Sequence, residues 1–127
     1  MQINSAEELR VYQRAYQLAM DIFSISRHWP TEERYSLTDQ VRRSSRSICA
    51  NLREAWAKRR DEAHFLSKLT DCDAEAGETD TWIDFALDCG YLSSVDHDRL
   101  ATACREIGAM LGSMIRDPKP FLSKADP

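Results

Sequence analysis

Apolar residues return every three or four positions in four successive stretches of this chain, and each stretch is closed by proline, glycine or a polar link. That spacing gathers apolar side chains on one face of a helix. Four such stretches joined by short connections make an all-α, up-and-down four-helix bundle the expected fold. The predicted helices are 5–28, 37–59, 61–89 and 94–115, in one domain over 1–116 with a flexible tail at 117–127. The first opens on the capping box Ser5-Ala6-Glu7-Glu8 and carries two apolar stripes, Leu9/Tyr12/Tyr16/Ala19/Phe23 and Val11/Ala15/Leu18/Ile22/Ile25. Trp29-Pro30 stops it, because the residue before proline is pushed out of the helical region.

Ser36 is expected to cap the second helix, whose core stripe is Val41, Ser45, Ile48, Leu52 and Ala55. Asp61 and Glu62 suit the first turn of the third, which presents Phe65, Leu69, Cys72, Ala76, Ile83 and Leu87 and ends at Gly90. The fourth, capped by Ser93 or Ser94, turns Leu100, Cys104, Ile107, Leu111 and Met114 inward, with Gly108 and Gly112 suited to close helix contact. Asp117-Pro118-Lys119-Pro120 ends it.

Charge divides the chain. Residues 36–60 hold seven Lys or Arg and two acids, a local charge of +5, and residues 61–89 hold one Lys and nine acids, a local charge of −8. At about 100° per residue, Arg42, Arg46, Arg53 and Arg60 fall within roughly 40° of one another, so the positive charge forms a surface stripe. On the third helix Asp71, Glu75 and Glu78 share a non-core face with Trp82, Phe85 and Cys89, a mixture that a fully solvated face does not favour. Trp82 and Phe85 are therefore the expected contacts of a homo-oligomer, because the first and third helices each carry more apolar surface than a single bundle core can bury. The arginine stripe is expected to pair with Asp71, Glu75 and Glu78 in the same or a neighbouring subunit; the alternative is contact with RNA phosphates.

Catalysis finds no foothold. Asp61-Glu62-Ala63-His64 spells a helicase box, but no Gly-rich phosphate loop accompanies it. One Asp-x-x-His pair is half of what a di-metal bundle needs, so neither a metal nor a cofactor is expected. Cys49, Cys72, Cys89 and Cys104 sit among apolar residues without a C-x-x-C pair, which suits reduced, buried thiols in a cytoplasmic protein. A net charge of −4 argues against general nucleic-acid coating, and no run of apolar residues is long enough for a membrane span. Asn51 and Glu54 are mid-helix polar residues, expected to serve a structural hydrogen-bonding role.

Three stretches resemble a known family: Val11-Tyr12-Gln13-Arg14-Ala15-Tyr16-Gln17-Leu18-Ala19, the run from Tyr35 to Ala55, and Phe65-Leu66-Ser67-Lys68-Leu69 leading towards Cys89-Gly90-Tyr91-Leu92. The central run is the most specific. Where the family reads S-I-x-A-N-I-x-E-G, this chain has Ser47, Ile48, Ala50, Asn51, Leu52 and Glu54, with Ala55 in place of the glycine. The pattern is similar to the four-helix-bundle family of intervening sequences in bacterial 23S ribosomal RNA genes and, more distantly, to the accessory protein of diversity-generating retroelements. The resemblance implies a bundle that closes into a ring, commonly a pentamer, with no established enzymatic activity; the distant relative implies binding of nucleic acid and of a nucleic-acid-processing protein. Two functions follow as expectations: a non-enzymatic, self-assembling interaction protein and scaffold, or an RNA-binding accessory protein that uses the helix-two arginines.

Overall fold

The computed structural model describes residues 2–123. Four helices dominate: α1 (Arg10–Ser26), α2 (Leu37–Ala57), α3 (Glu62–Asp88) and α4 (Ser94–Arg116). Three short 3₁₀ turns, Ala6–Glu8, Thr31–Glu33 and Lys119–Phe121, complete the set, and there is no strand among the described residues. Each helix packs on two others, in the order α1–α2–α3–α4 and back to α1, which is the expected up-and-down bundle. No helix among the described residues is long and apolar enough to cross a membrane.

The helix ends show where local chemistry differs from the sequence expectation. The Glu8 carboxylate accepts from the backbone N–H of Ser5 at 3.3 Å, so the capping box forms, but it closes a 3₁₀ turn rather than α1. Leu9 then adopts an extended backbone (φ −67°, ψ 133°) and is buried, and α1 starts only at Arg10. Burying Leu9 in the core requires this break. Ser36 occupies the N-cap position of α2, but its hydroxyl donates to Glu33 at 2.7 Å instead of capping the helix. The Ser93 cap forms as expected, and Asp61, expected inside the first turn of α3, caps it instead. The Asp61 carboxylate accepts from His64 N–H at 3.1 Å, and the Ser93 hydroxyl from Asp96 N–H at 3.1 Å. At the end of α3, Gly90 has φ +82°, and Tyr91 N–H reaches back to the Ala86 carbonyl at 2.8 Å, a closure that favours glycine. The expected tail is partly docked: Phe121 packs against the core and Ser123 N–H donates to the Arg59 carbonyl at 3.2 Å, while residues 124–127 lie outside the described residues.

One core runs the length of the bundle. Val11, Ala15, Leu18 and Ile22 of α1 meet Val41, Ile48 and Leu52 of α2, Phe65, Leu69, Cys72 and Ile83 of α3, and Leu100, Ile107 and Leu111 of α4. α2 and α3 run antiparallel, and buried polar groups fix their register. Ser44 and Thr79 share a hydrogen bond at 2.8 Å, and the Cys72 thiol donates to the Ile48 carbonyl at 3.7 Å. Further along, Lys68 Nζ donates to Asn51 Oδ1 at 3.0 Å and contacts Glu54 at 2.5 Å and Asp71 at 3.5 Å. Gly108 and Gly112, expected at a close helix contact, serve none inside the chain. A Cβ at Gly108 would meet only Asp73 Oδ1 at 3.8 Å, and one at Gly112 the end of Arg116 on the same helix.

Ionic links join neighbouring helices. Arg14–Glu106 at 2.9 Å and Arg99–Asp21 tie α1 to α4, and Lys68–Glu54 ties α3 to α2. His97 of α4 bonds Asp84 of α3 through Nε2 at 2.8 Å and Asp98 through Nδ1 at 3.0 Å. These hydrogen bonds, that to Asp84 foremost, hold the His97 imidazole above its ordinary value.

Two outcomes follow. Ile48 is fully buried, so Ile48→Ala should lower the unfolding free energy by about 2–5 kcal/mol, read as a lower denaturant midpoint at unchanged slope. A much smaller loss would place Ile48 outside the load of the core. Because the His97 value is raised on folding, protonated His97 stabilises the fold fully below the ordinary value of 6.5 and loses that contribution as pH rises through the raised value. Chemical denaturation of wild type and His97→Gln should therefore differ most at about pH 6 and converge in alkaline buffer; a pH-independent difference would assign His97 a packing role.

Candidate interaction faces

The α1–α2 junction differs from the other three. Phe23 of α1 is partly buried, and three guanidinium groups converge on its ring: Arg42 at 5.0 Å, with Arg27 and Arg46 each at 5.8 Å from the centroid. An aromatic face attracts cations, so the ring holds together groups that repel one another. Arg42 Nε also donates to the Ser26 hydroxyl at 2.8 Å. Burial, followed by the charges of Arg46 and Arg27, lowers the basicity of Arg42. Outward from this cluster lies an open groove of about 710 Å³ lined by Arg34, Tyr35, Asp39, Arg42, Arg43 and Arg46. Tyr35 stands at its rim, 86 % exposed.

Of the predicted arginine stripe, Arg42 and Arg46 face α1 within the chain. Among the described residues none of Arg42, Arg46 and Arg53 lies within ion-pair reach of Asp71, Glu75 or Glu78; Arg53 pairs with Glu7 of the N-terminal turn. Arg60 is exposed beyond the end of α2. Burial and the neighbouring Glu78 hold the Glu75 carboxyl above its ordinary value, and the arginine that opposes them from inside the chain is Arg43. Arg27, Arg34, Tyr35 and Phe23 lay outside the predicted site. Arg27 and Arg34 flank Trp29-Pro30, outside the helix-two periodicity that picked out the stripe.

Asn51 and Glu54 hold Lys68, the single basic residue of the acidic 61–89 segment, whose isolation there is the sequence signal that could have pointed to it. The Asn51 side-chain amide also donates to the Ser47 carbonyl at 2.9 Å, so three positions of the S-I-x-A-N-I-x-E pattern form one network.

On α3, Glu78 accepts from the Trp82 indole N–H at 3.3 Å, and Trp82 packs at a tilt on Phe85 with centroids 6.0 Å apart. Trp82 is half-buried against the core, whereas Phe85 is 55 % exposed. α1 likewise turns Val11, Ala15, Leu18 and Ile22 inward and leaves Tyr16 and Met20 on the surface, 55 % and 52 % exposed. Burial pushes the Cys49 thiol up to about 11 and those of Cys72 and Cys104 up to about 12, which suppresses thiolate chemistry. Cys89, expected to be buried, is exposed, because it follows the non-core face of α3 while Ala86 of the last turn fills the core.

Comparison with known proteins places this bundle. The model of the 23S rRNA-intervening sequence protein family matches residues 7–113. A crystal structure of a protein of unknown function from the S23 ribosomal protein family of Bacteroides thetaiotaomicron is similar to this chain at 27 % identity and a TM-score of 0.75, over 84 % of this chain and 95 % of that one. No curated protein matches. With the family pattern running through all four helices and an experimental structure of the same bundle beside it, the chain belongs to the family of 23S rRNA-intervening sequence proteins.

Proposed function

We propose that this protein is a non-enzymatic interaction protein that assembles with copies of itself into a closed ring and acts as a scaffold. The observation that carries this reading is the apolar surface left outside a completed core: Tyr16 and Met20 on α1, and Phe85 beside Trp82 on α3. These helices are not neighbours in the bundle, so two separate faces are left with aromatic surface to cover. Three buried thiols with raised proton affinity offer no nucleophile. The groove of Arg34, Arg42, Arg43 and Arg46 with exposed Tyr35 favours a second reading, in which the protein holds RNA through phosphate contacts and stacking on the phenol ring.

Light scattering at about 10 µM separates them, a concentration at which an interface of standard size is occupied. The expected result is a mass several times the 14.6 kDa of one chain. Phe85→Glu should reduce that mass; a single-chain mass for wild type ends the self-association reading. If Arg46→Glu keeps the wild-type mass but weakens binding of a structured RNA by about tenfold or more, the RNA reading takes its place.

A further inference from the structure

The self-association reading leaves open which surfaces meet, and the outward faces of α2 and α3 differ in a way that assigns them. Opposite its core stripe, α3 carries Ser67, Thr70, Ala74, Gly77 and Thr81 in one line, all exposed, small and uncharged, with Phe85 continuing it. A helix face that meets only water has no need to exclude long charged side chains, yet acids stand just to either side, Asp71 and Glu78 towards α2 and Asp73 and Asp84 towards α4. Gly77 sharpens the point. A Cβ there would meet nothing within 4 Å, so no neighbour inside the chain requires a glycine, and glycine is among the weakest helix formers. No contact inside the single chain accounts for it.

The outward face of α2 is the complement. Ala50 and Ala57 are exposed and small, and Arg43 and Arg46 flank Ala50 on the outward side, with the exposed acids Asp39 and Glu54 one to three turns away on the same face. The α3 face cannot meet its own copy without opposing acids, whereas Arg43 and Arg46 of the α2 face offer those acids the opposite charge. We propose that the outward face of α3 in one copy seats on the outward face of α2 in the next, with Arg43 and Arg46 between the acids and Gly77 at the closest approach. This rests on the self-association reading and adds which two faces form the heterologous contact of the ring.

The register supports it. In copies related by an axis parallel to the bundle, every helix keeps its direction and height, so α2 of one copy meets α3 of the next antiparallel, as it does within the chain. Inside the chain Ser44 stands opposite Thr79, and Asn51 opposite Lys68. Carried across to the next copy, the same register brings Arg43 to Gly77 and Glu78, and Arg46 to Ala74, within a turn of Asp71 and Glu78. Small residues allow the backbones to approach while the arginines reach past them to carboxylates.

The test uses the full chain. Gly77→Arg blocks the α3 face and leaves the α2 face intact; Arg43→Glu with Arg46→Glu does the reverse. Each variant alone should fall to single-chain mass at micromolar concentration with an unchanged far-ultraviolet helix signal, and an equimolar mixture should recover a two-chain species, because one intact face of each kind remains. If that single contact is too weak to persist, or if either variant loses its helix signal, a chain combining Arg43→Glu and Arg46→Glu with Asp71→Lys and Glu78→Lys decides, since exchanging the charges on both faces should restore the wild-type mass. The assignment is overturned if either blocked variant assembles as wild type does, or if both the mixture and the exchanged chain stay at single-chain mass. A wild type that is itself a single chain removes the self-association reading and this contact with it, so the two failures are distinguishable.

Discussion

The antiparallel register of α2 on α3 is the constraint on which the rest of the molecule depends. A four-residue link, 58–61, joins the two helices, and pairings along their shared side keep them from sliding: Ser44 with Thr79, Ile48 with Cys72, Asn51 with Lys68. Slippage by one turn would break the buried Ser44–Thr79 hydrogen bond and leave each hydroxyl only the carbonyl of its own helix, Val41 and Glu75. It would also take Lys68 from the carboxylate of Glu54. With the register fixed, the basic face of α2 and the small, acid-flanked face of α3 come to stand at matching heights on the outside of the bundle.

Electrostatics then sorts the junctions between helices into two kinds. Three are closed by opposite charges or by an imidazole held between carboxylates. The fourth, α1–α2, holds three guanidinium groups around one phenyl ring. A protein under selection for stability alone gains nothing from concentrating like charge there, and each ring contact contributes only about 0.5–2 kcal/mol against the repulsion. The concentration of positive charge beside exposed Tyr35 on this side is what the RNA reading draws upon.

Much of this was legible in the sequence, and what was not has identifiable causes. Apolar periodicity located four helices because burial of one face is a local pattern, and Gly90 and Ser93 marked their ends because each answers a local backbone requirement. The break at Leu9 was not legible, since it comes from the demand of a distant core for that side chain and not from the capping box before it. Ser36 failed as a side-chain cap because Glu33 competes for the same hydroxyl. The direction of the arginine stripe was hidden for a different reason. A helical wheel gives the angle between arginines and core on α2, but it does not say whether α1 or α3 lies on that side, because the handedness with which the bundle turns is not written in periodicity. Only the assembled chain shows that Arg42 and Arg46 lean over Phe23.

The cluster around Phe23 also makes the bundle answer ionic strength unevenly. The attractions Arg14–Glu106 and Arg99–Asp21, on the α4 side of α1, weaken as salt is added, and the mutual repulsion of Arg27, Arg42 and Arg46 on the α2 side weakens with them. At physiological ionic strength the screening length is about 8 Å, of the order of the spacing among three charges set around one ring. Salt therefore loosens one flank of α1 and relaxes the other, shifting the balance of that helix between its two neighbours without a uniform effect on the fold.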